Sequence, residues 1–329
     1  MLYRVHSEEK VAHARSLCRI AAGVPNSHYI PFEAPTSIDA DTHYDPNVVV
    51  SPKADGVRYM LVLCMFKDKP HAFFVNRAEE VYVGLIAAPQ RWFHDVHVYE
   101  GELCRYLPEP CKKIFLVFNA VYVKEPMAHM PYRARRQVVD RHTCATPLDN
   151  MSDRHVASRS IMTSAHPVMY IVAKPCVPAI MLPTLSTELY ACDGYIFTPL
   201  DDGMTTGRNP RLLKWKSKHT VDLRLVVDHA TRRIHLTAMN RGRSVDAKCT
   251  CHMTPLLASI LRGHAMYTRK PTFDEIVEFE IKDNEVVFNR IRRDKSTPND
   301  TLTVSRTFAA VADAVTLEDL VATFKNYAP

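Results

Sequence analysis

The chain has 329 residues, 47% of them hydrophobic and 24% charged, a composition typical of a globular protein with one large or two ordinary domains. It contains no run near the roughly 18 consecutive apolar residues of a transmembrane helix and no apolar signal-peptide core at its start, so no membrane partner is expected. The formal net charge of +6 permits RNA binding without requiring it.

The predicted elements of the first two thirds are mainly strands. A helix is expected from about residue 8 to 22, and residues 57–63 alternate between two faces as a half-buried strand does. An arginine-rich helix is expected at 131–142, before a polar loop at 143–166. Further strands are predicted at 73–75, 97–103, 114–123, 168–173, 194–198, 211–216 and 220–227.

After about residue 223 the short strands continue as a smaller unit. They are predicted at 233–238, 275–281 and 285–291, with a hairpin turn at Asp283-Asn284. Several short strands over about 80 residues are typical of a small barrel such as the OB-fold. The sequence therefore predicts an α+β chain with domains 1–222 and 223–303 and a terminal helix in 304–329.

Glycine and cysteine usage limits the chemistry that the chain can perform. With nine glycines there is neither a G-x-x-x-x-G-K nor a G-x-G-x-x-G segment, so side-chain cations would have to hold a triphosphate. The nine cysteines are scattered and odd in number, which favours a reducing, intracellular compartment. Cys249, Cys251 and His252 are close together but lack a second ligand pair at zinc-site spacing.

The segment Lys53-Ala54-Asp55-Gly56-Val57-Arg58 is the most informative part of the sequence. It contains what a lysine needs to attack the α-phosphate of a nucleotide and form a phosphoramide. Gly56 would permit a tight turn, and Arg58 can hydrogen-bond a ribose or a phosphate. Taken alone, the segment is also compatible with a solvated Asp-Gly hairpin turn.

Four further groups of residues follow in order: Glu100-Gly101-Glu102-Leu103, Asp193-Gly194-Tyr195-Ile196-Phe197, Leu213-Lys214-Trp215-Lys216 with Thr220-Val221-Asp222, and Arg292-Arg293-Asp294-Lys295 with Pro298-Asn299. Together with the Lys53 segment, this series resembles the ordered motifs of covalent nucleotidyltransferases, specifically of mRNA capping enzyme guanylyltransferases. The resemblance runs from about residue 53 to 299. It implies an antiparallel-sheet nucleotidyltransferase domain of the ATP-grasp and ligase type, followed by an OB-fold barrel.

The resemblance implies a role for each site residue. Lys53 would be the nucleophile, and Lys214 and Lys216, on one face of a strand, would bind the α-phosphate. Glu102 resembles the ribose-binding glutamate of the family. Asp193 would hold Mg²⁺ or Mn²⁺ near the α-phosphate, with Asp222 as a second candidate for water or metal contacts.

Further residues would bind the rest of the nucleotide. Lys174 stands where the family often has a base-contacting lysine, and Ile196 could pack on the base. In the last of these groups, Arg292, Asp294 and Lys295 would bind the β- and γ-phosphates when the barrel domain closes.

The sequence departs from the family pattern at two positions. Glu100 replaces the aspartate that usually precedes the glycine, and Asn119 replaces the aspartate that usually ends the segment beginning at Ile114. Because Asn119 lacks a charge, it is not expected in the catalytic set. Either Phe115 or Phe118 could touch the base, although core packing explains both.

We therefore expect a GTP:RNA guanylyltransferase that forms lysyl-GMP from GTP and transfers GMP to 5′-diphosphate RNA, giving a GpppN cap. Its partners would include separate RNA triphosphatase and cap methyltransferase proteins, and RNA polymerase is a further candidate. A compact enzyme of this kind would suit a virus that encodes its own capping system. Two alternatives stay open: a polynucleotide ligase that uses ATP or NAD, and an inactive relative that binds RNA or a polymerase.

Overall fold

The computed structural model describes residues 2–39, 41–86, 88, 91–143, 169–185, 188–293, 295–312 and 315–326. The chain forms two compact units, of which the first comprises Met1–Ile38, His43–Trp215 and Glu318–Pro329, and the second comprises Asp39–Thr42 and Lys216–Leu317. Most of the polar loop expected at 143–166 lies outside the described residues. Both units combine helices with largely antiparallel sheets, so the α+β class is confirmed.

The first unit contains thirteen named strands and four α-helices in the described part of the chain. The strands are β1 (Leu2–Arg4), β2 (Glu33–Ser37), β3 (Val48–Ala54), β4 (Val57–Phe66), β5 (Lys69–Asn76), β6 (Val81–Gly84), β7 (His97–Arg105), β8 (Lys113–Val123), β9 (Glu125–Pro126), β10 (Tyr170–Ala173), β11 (Val177–Pro178), β12 (Cys192–Pro199) and β13 (Gly207–Lys216). The helices are α1 (Glu8–Ala21), α2 (Arg91–His94), α3 (Tyr132–His142) and, near the end of the chain, α6 (Leu317–Lys325).

These strands form two sheets. The larger has the order β1-β6-β5-β4-β7-β8-β10, with β9 paired to β8, and the smaller has the order β11-β3-β12-β13-β2. All pairs in the larger sheet are antiparallel except β8 with β10, and β13 runs parallel to β2 in the smaller sheet. Successive strands β3 and β4 therefore belong to different sheets.

Strand β4 confirms the strand expected at 57–63, but it is buried on both faces and not on one as expected. Leu61 and Leu63 pack in a core that includes Val139 of α3, whereas Met60 and Val62 pack with Cys18 of α1 on the other face. Alternating side chains point to opposite faces of a strand, and here each face is covered by a helix.

The second unit is a six-stranded sheet with the order β16-β15-β14-β18-β19-β17. Its elements are β14 (Thr220–Asp228), β15 (Ile234–Asn240), β16 (Arg243–Asp246), β17 (Thr250–His252), α4 (Pro255–Thr268), β18 (Thr272–Lys282), β19 (Glu285–Ile291) and α5 (Thr301–Ala312). The β18–β19 hairpin is confirmed, and Asp283 and Asn284 at its turn have φ of 49° and 62°, as a type I′ turn requires.

Two helical features of the C-terminal third differ from the sequence prediction. Helix α4 was not predicted, although Thr254 caps its first turn by accepting from the Leu257 amide and Pro255 is its first residue. The single terminal helix expected from about residue 304 is instead two helices, α5 and α6. Within the described residues, no helix combines the length and the apolar character needed to cross a membrane.

Candidate active site

The connection between β3 and β4 places Lys53 and Arg58 on two different sheets. Only Asp55 and Gly56 lie between the two strands, so this connection crosses between sheets and is not a hairpin turn. A Cβ on Gly56 would lie 2.5 Å from the Cys104 sulfur and 2.8 Å from the Leu103 carbonyl oxygen. Glycine is therefore needed here for close packing against β7, which is a stronger constraint than the turn expected from the sequence.

Lys53 lies opposite an irregularity in the neighbouring strand. Cys192 pairs with Ala54 and Tyr195 pairs with Pro52, so Asp193 and Gly194 together oppose Lys53 in a β-bulge. Bulges redirect side chains, and this one brings the Asp193 carboxylate to 2.6 Å from the Lys53 Nζ atom. The expected nucleophile and the expected metal ligand are thus directly paired.

A cavity of about 590 Å³ opens beside Lys53 within the first unit. Six of the residues predicted from the sequence line it: Lys53, Arg58, Glu102, Lys174, Ile196 and Lys214. The structure therefore brings together cations, a carboxylate and an apolar side chain from strands of both sheets. Such a combination suits a nucleotide, whose phosphates need positive charge and whose base needs an apolar surface.

Phe118 provides an aromatic surface in this cavity. Glu100 pairs with Asn119 and Gly101 pairs with Val117, so Phe118 is an extra residue in β8. The guanidinium carbon of Arg58 and the Nζ of Lys174 each lie 5.3 Å from the centre of the Phe118 ring, within the range of a cation–π interaction. Phe115 is fully buried in the core, so of the two aromatic candidates only Phe118 lines the cavity.

Lys174 and Glu102 form an ion pair in the cavity wall. The Lys174 Nζ donates to the Glu102 carboxylate over 3.1 Å, and only 3% of Lys174 is exposed. The lysine expected at the base and the glutamate expected at the ribose are therefore neighbours. A buried lysine requires such a partner because desolvation of an unpaired charge is costly.

Sequence reasoning missed two arginines of the cavity, Arg77 and Arg135. Arg77 follows the end of β5, and burial, reinforced by neighbouring Arg58, lowers its pKa. Arg135 comes from α3 and is 2% exposed. Asn76 pairs with Tyr59 of β4, so the next residue, Arg77, lies beside Arg58 at the cavity. Extending the β4–β5 hairpin by this register in the sequence could have predicted the position of Arg77.

Arg292 and Lys295, which were expected to bind the β- and γ-phosphates, lie in the second unit and both contact Asp222. The Arg292 guanidinium donates to both carboxylate oxygens of Asp222, over 3.0 and 3.2 Å, and the Lys295 ammonium also binds this carboxylate. Asp222 further accepts at its backbone carbonyl from the Asn299 amide. Asp294 lies outside the described residues, and Lys216 is the last residue of β13 and part of the second unit.

A lysine in a cation-lined cavity formed by strands of two sheets, in a chain whose second unit is built on a six-stranded sheet, is the arrangement expected of a covalent nucleotidyltransferase. The family model of the mRNA capping enzyme catalytic domain matches residues 15–218, and that of the mRNA capping enzyme C-terminal domain matches residues 216–321. The chain belongs to the mRNA capping enzyme family.

Solved structures similar to this chain are DNA ligases. A mycobacterial DNA ligase D complexed with ATP and MES is 11% identical, covering 80% of this chain and 95% of its own, with a TM-score of 0.45. Chlorella virus DNA ligase-adenylate is 12% identical, covering 79% of this chain and 98% of its own, with a TM-score of 0.31. The ATP-dependent DNA ligase from bacteriophage T7 is 10% identical, covering 80% of this chain and 98% of its own, with a TM-score of 0.33.

Proposed function

We propose that Lys53 is the residue on which this mRNA guanylyltransferase carries GMP. The observation that supports this role most directly is the position of its Nζ atom, which lines the cavity and lies 2.6 Å from Asp193. In the first step, the deprotonated Lys53 nitrogen attacks the α-phosphorus of GTP. A nitrogen–phosphorus bond forms, the bond between the α-phosphorus and the bridging oxygen breaks, and pyrophosphate leaves.

In the second step, a terminal phosphate oxygen of 5′-diphosphate RNA attacks the same phosphorus. The nitrogen–phosphorus bond breaks, the lysine regains a proton, and the product is a GpppN cap. Arg58 and Lys214 would stabilise the charge that develops on the α-phosphate, because both line the cavity and present hydrogen-bond donors. Phe118 and Ile196 would contact the base, and Glu102 with Lys174 would bind the ribose and the guanine edge.

A divalent cation would be held beside Lys53 by Asp193 together with the phosphates of the nucleotide. Mg²⁺ in nucleotide enzymes is held by one or two carboxylates together with phosphate oxygens and waters, and Asp193 supplies a hard carboxylate at this position. When bound, Mg²⁺ or Mn²⁺ would neutralise charge on the α-phosphate and the leaving group.

We further propose that residues 1–222 carry out the transfer and that residues 223–303 serve the leaving group. Arg292, Asp294 and Lys295 would bind the β- and γ-phosphates of GTP, while Lys216 would assist Lys214 at the α-phosphate. Asp222, paired to Arg292 and Lys295, would hold these cations until a triphosphate competes for them. Separate RNA triphosphatase and cap methyltransferase proteins would act before and after this enzyme.

The covalent step is tested by incubating the protein with GTP labelled at the α-phosphate and Mg²⁺, followed by denaturing electrophoresis. The label should stay on the protein, resist alkali and be released by acid, as a phosphoramide is. Lys53→Ala should abolish labelling, whereas Lys67→Ala, which changes an exposed lysine paired with Glu9, should not.

The outcomes also distinguish the alternatives. Labelling that persists in Lys53→Ala would remove this lysine from the nucleophile role. Equal labelling by ATP and GTP, or joining of nicked duplexes, would move the assignment to a ligase. Labelling by neither nucleotide would indicate a relative that binds RNA without transferring a nucleotide.

A further inference from the structure

The two positions at which the sequence departs from the family pattern meet at one contact. Glu100 of β7 and Asn119 of β8 are directly paired across the strands, and the Asn119 Nδ2 atom lies 3.5 Å from Glu100 Oε2. Both side chains are buried, at 0% and 3% exposure. Asn119, which was left out of the catalytic set because it lacks a charge, therefore occupies the centre of a buried polar network at the cavity wall.

The network runs from helix α3 to Arg58. Arg135 donates to Asn119 Oδ1 over 2.6 Å, Asn119 donates to Glu100, and the Arg58 Nε atom donates to Glu100 Oε1 over 2.8 Å. Arg135 is itself fixed, because its Nε and Nη2 atoms donate to the carbonyls of Met130 and Asp202, each over 3.0 Å.

The chemistry of the neighbours fixes the orientation of the Asn119 amide. A guanidinium can only donate hydrogen bonds, so the amide oxygen must face Arg135. An ionised carboxylate can only accept them, so the amide nitrogen must face Glu100. An amide is the one group of this shape that satisfies both neighbours, since an aspartate would place a second carboxylate opposite Glu100 and remove its donor.

We infer that Asn119 is a positioning residue for Arg58, acting through the Glu100 carboxylate. Arg58 donates to Glu100 Oε1 and Asn119 donates to Glu100 Oε2, so each oxygen of the carboxylate has its own donor. This fixes the carboxylate and with it the guanidinium that faces the cavity, where Arg58 also donates to the Glu33 carbonyl over 2.5 Å. The inference rests on the proposed function, in which Arg58 contacts the nucleotide during lysyl-GMP formation.

The decisive experiment exchanges the side-chain amide of Asn119 and the side-chain carboxylate of Glu100 between the two positions. Asn119→Asp conserves shape but sets two carboxylates against each other, and the rate of lysyl-GMP formation should fall roughly tenfold or more, the size of a lost hydrogen bond to a charged group. In the double variant Glu100→Gln with Asn119→Asp, the new amide at 100 accepts from Arg58 and donates to the new acid at 119, which accepts from Arg135. Every hydrogen bond and the net charge are kept, so most of the lost rate should return.

A second measurement separates positioning from general stability. Asn119→Ala should change the same kinetic parameter as Arg58→Ala, either KM for GTP or kcat. When Asn119→Ala is combined with Arg58→Ala, the rate of lysyl-GMP formation should fall no further than in Arg58→Ala alone. This comparison also keeps the inference testable if the Asn119→Asp protein does not fold.

Three results would overturn the inference. The first is an Asn119→Asp protein that forms lysyl-GMP as fast as the wild type, and the second is a Glu100→Gln, Asn119→Asp double variant no faster than Asn119→Asp alone. The third is that Asn119→Ala and Arg58→Ala lower the rate additively when combined. In each of these cases the wild-type protein still forms the adduct, so the proposed function stands. A wild-type protein that forms no adduct overturns both.

Discussion

At the scale of single residues, three of the cavity cations are each paired with one carboxylate. Lys53 is paired with Asp193, Lys174 with Glu102 and Arg58 with Glu100. These partners come from distant parts of the chain, and they hold the cations in place before a substrate arrives. A triphosphate therefore meets donors that are already oriented, which is the condition under which electrostatic stabilisation contributes most to catalysis.

Gly56 is expected to be intolerant of any side chain. Gly56→Ala places a methyl group against the Cys104 sulfur and the Leu103 carbonyl, and such overpacking costs about 1–3 kcal/mol. Gly263→Ala is the matched control, because no heavy atom lies within 4 Å of its new Cβ in helix α4 and alanine favours a helix by about 0.5–1 kcal/mol. The urea midpoint should fall in Gly56→Ala and rise in Gly263→Ala. A Gly56→Ala midpoint equal to that of the wild type would refute the packing argument.

His97 should make the stability of the protein dependent on pH. Burial, with a smaller contribution from His142, lowers the pKa of His97 to about 4, whereas an unfolded histidine titrates near 6.5. Between these values the unfolded chain binds a proton that the folded chain does not, so the free energy of unfolding falls as the pH drops from about 6.5 to 4.

The dependence is measured from urea midpoints at several pH values. His97→Leu should flatten the curve across this interval, whereas His28→Leu, at an exposed position, should leave its slope unchanged. An unchanged slope in His97→Leu would show that other groups cause the loss of stability.

At the scale of elements, the sequence predicted most of the strands around the site but not the two bulges that build it. Alternating apolar residues mark a strand, yet a bulge is a property of the register between two strands. Asp193 could be named as a metal ligand from its motif, but only the register places it opposite Lys53. For the same reason the sequence could not decide between Phe115 and Phe118.

Asn119 shows a second limit of the sequence. Asn119 was left out of the catalytic set because it lacks a charge, but the role of a buried amide depends on which donors and acceptors surround it. Those neighbours, Glu100 and Arg135, come from another strand and from helix α3. Their convergence on one amide is a tertiary fact that no local pattern records.

Helix α6 is expected to stabilise the first unit through two aromatic contacts of Phe324. The Phe324 ring stacks on Phe197 of β12 at 5.3 Å and meets Tyr44 edge-on at 5.5 Å. Phe324→Ala should lower the free energy of unfolding by about 3 kcal/mol, the lower end of the range for buried phenylalanine. Leu302→Ala, at a residue 56% exposed on α5, should change it by about 0.5 kcal/mol or less. Similar urea midpoints for the two variants would show that α6 contributes little.

At the scale of the whole molecule, the two units should contribute unequally to the two chemical steps. The β- and γ-phosphates are present only while GTP is bound, so cations that bind them should matter for adduct formation alone. Losing Arg292 removes charge-assisted contacts worth about 1.5–3 kcal/mol, and Arg292→Ala should therefore slow adduct formation by roughly one to two orders of magnitude.

The steps are separated by isolating residual Arg292→Ala protein loaded with GMP, adding 5′-diphosphate RNA and measuring transfer. Transfer should be much less affected than adduct formation, and the neighbouring exposed Arg293→Ala should resemble wild type in both steps. If transfer slows as much as adduct formation, Arg292 does not act on the leaving group.

The assignment of α6 to the first unit has a consequence for how the protein is made. Residues 318–326 carry Phe324, whose ring partners Phe197 and Tyr44 are synthesised much earlier. During translation, domains generally fold in order from the N-terminus. Here the last helix of the first unit is synthesised only after the whole second unit, so the first unit gains the Phe324 contacts last.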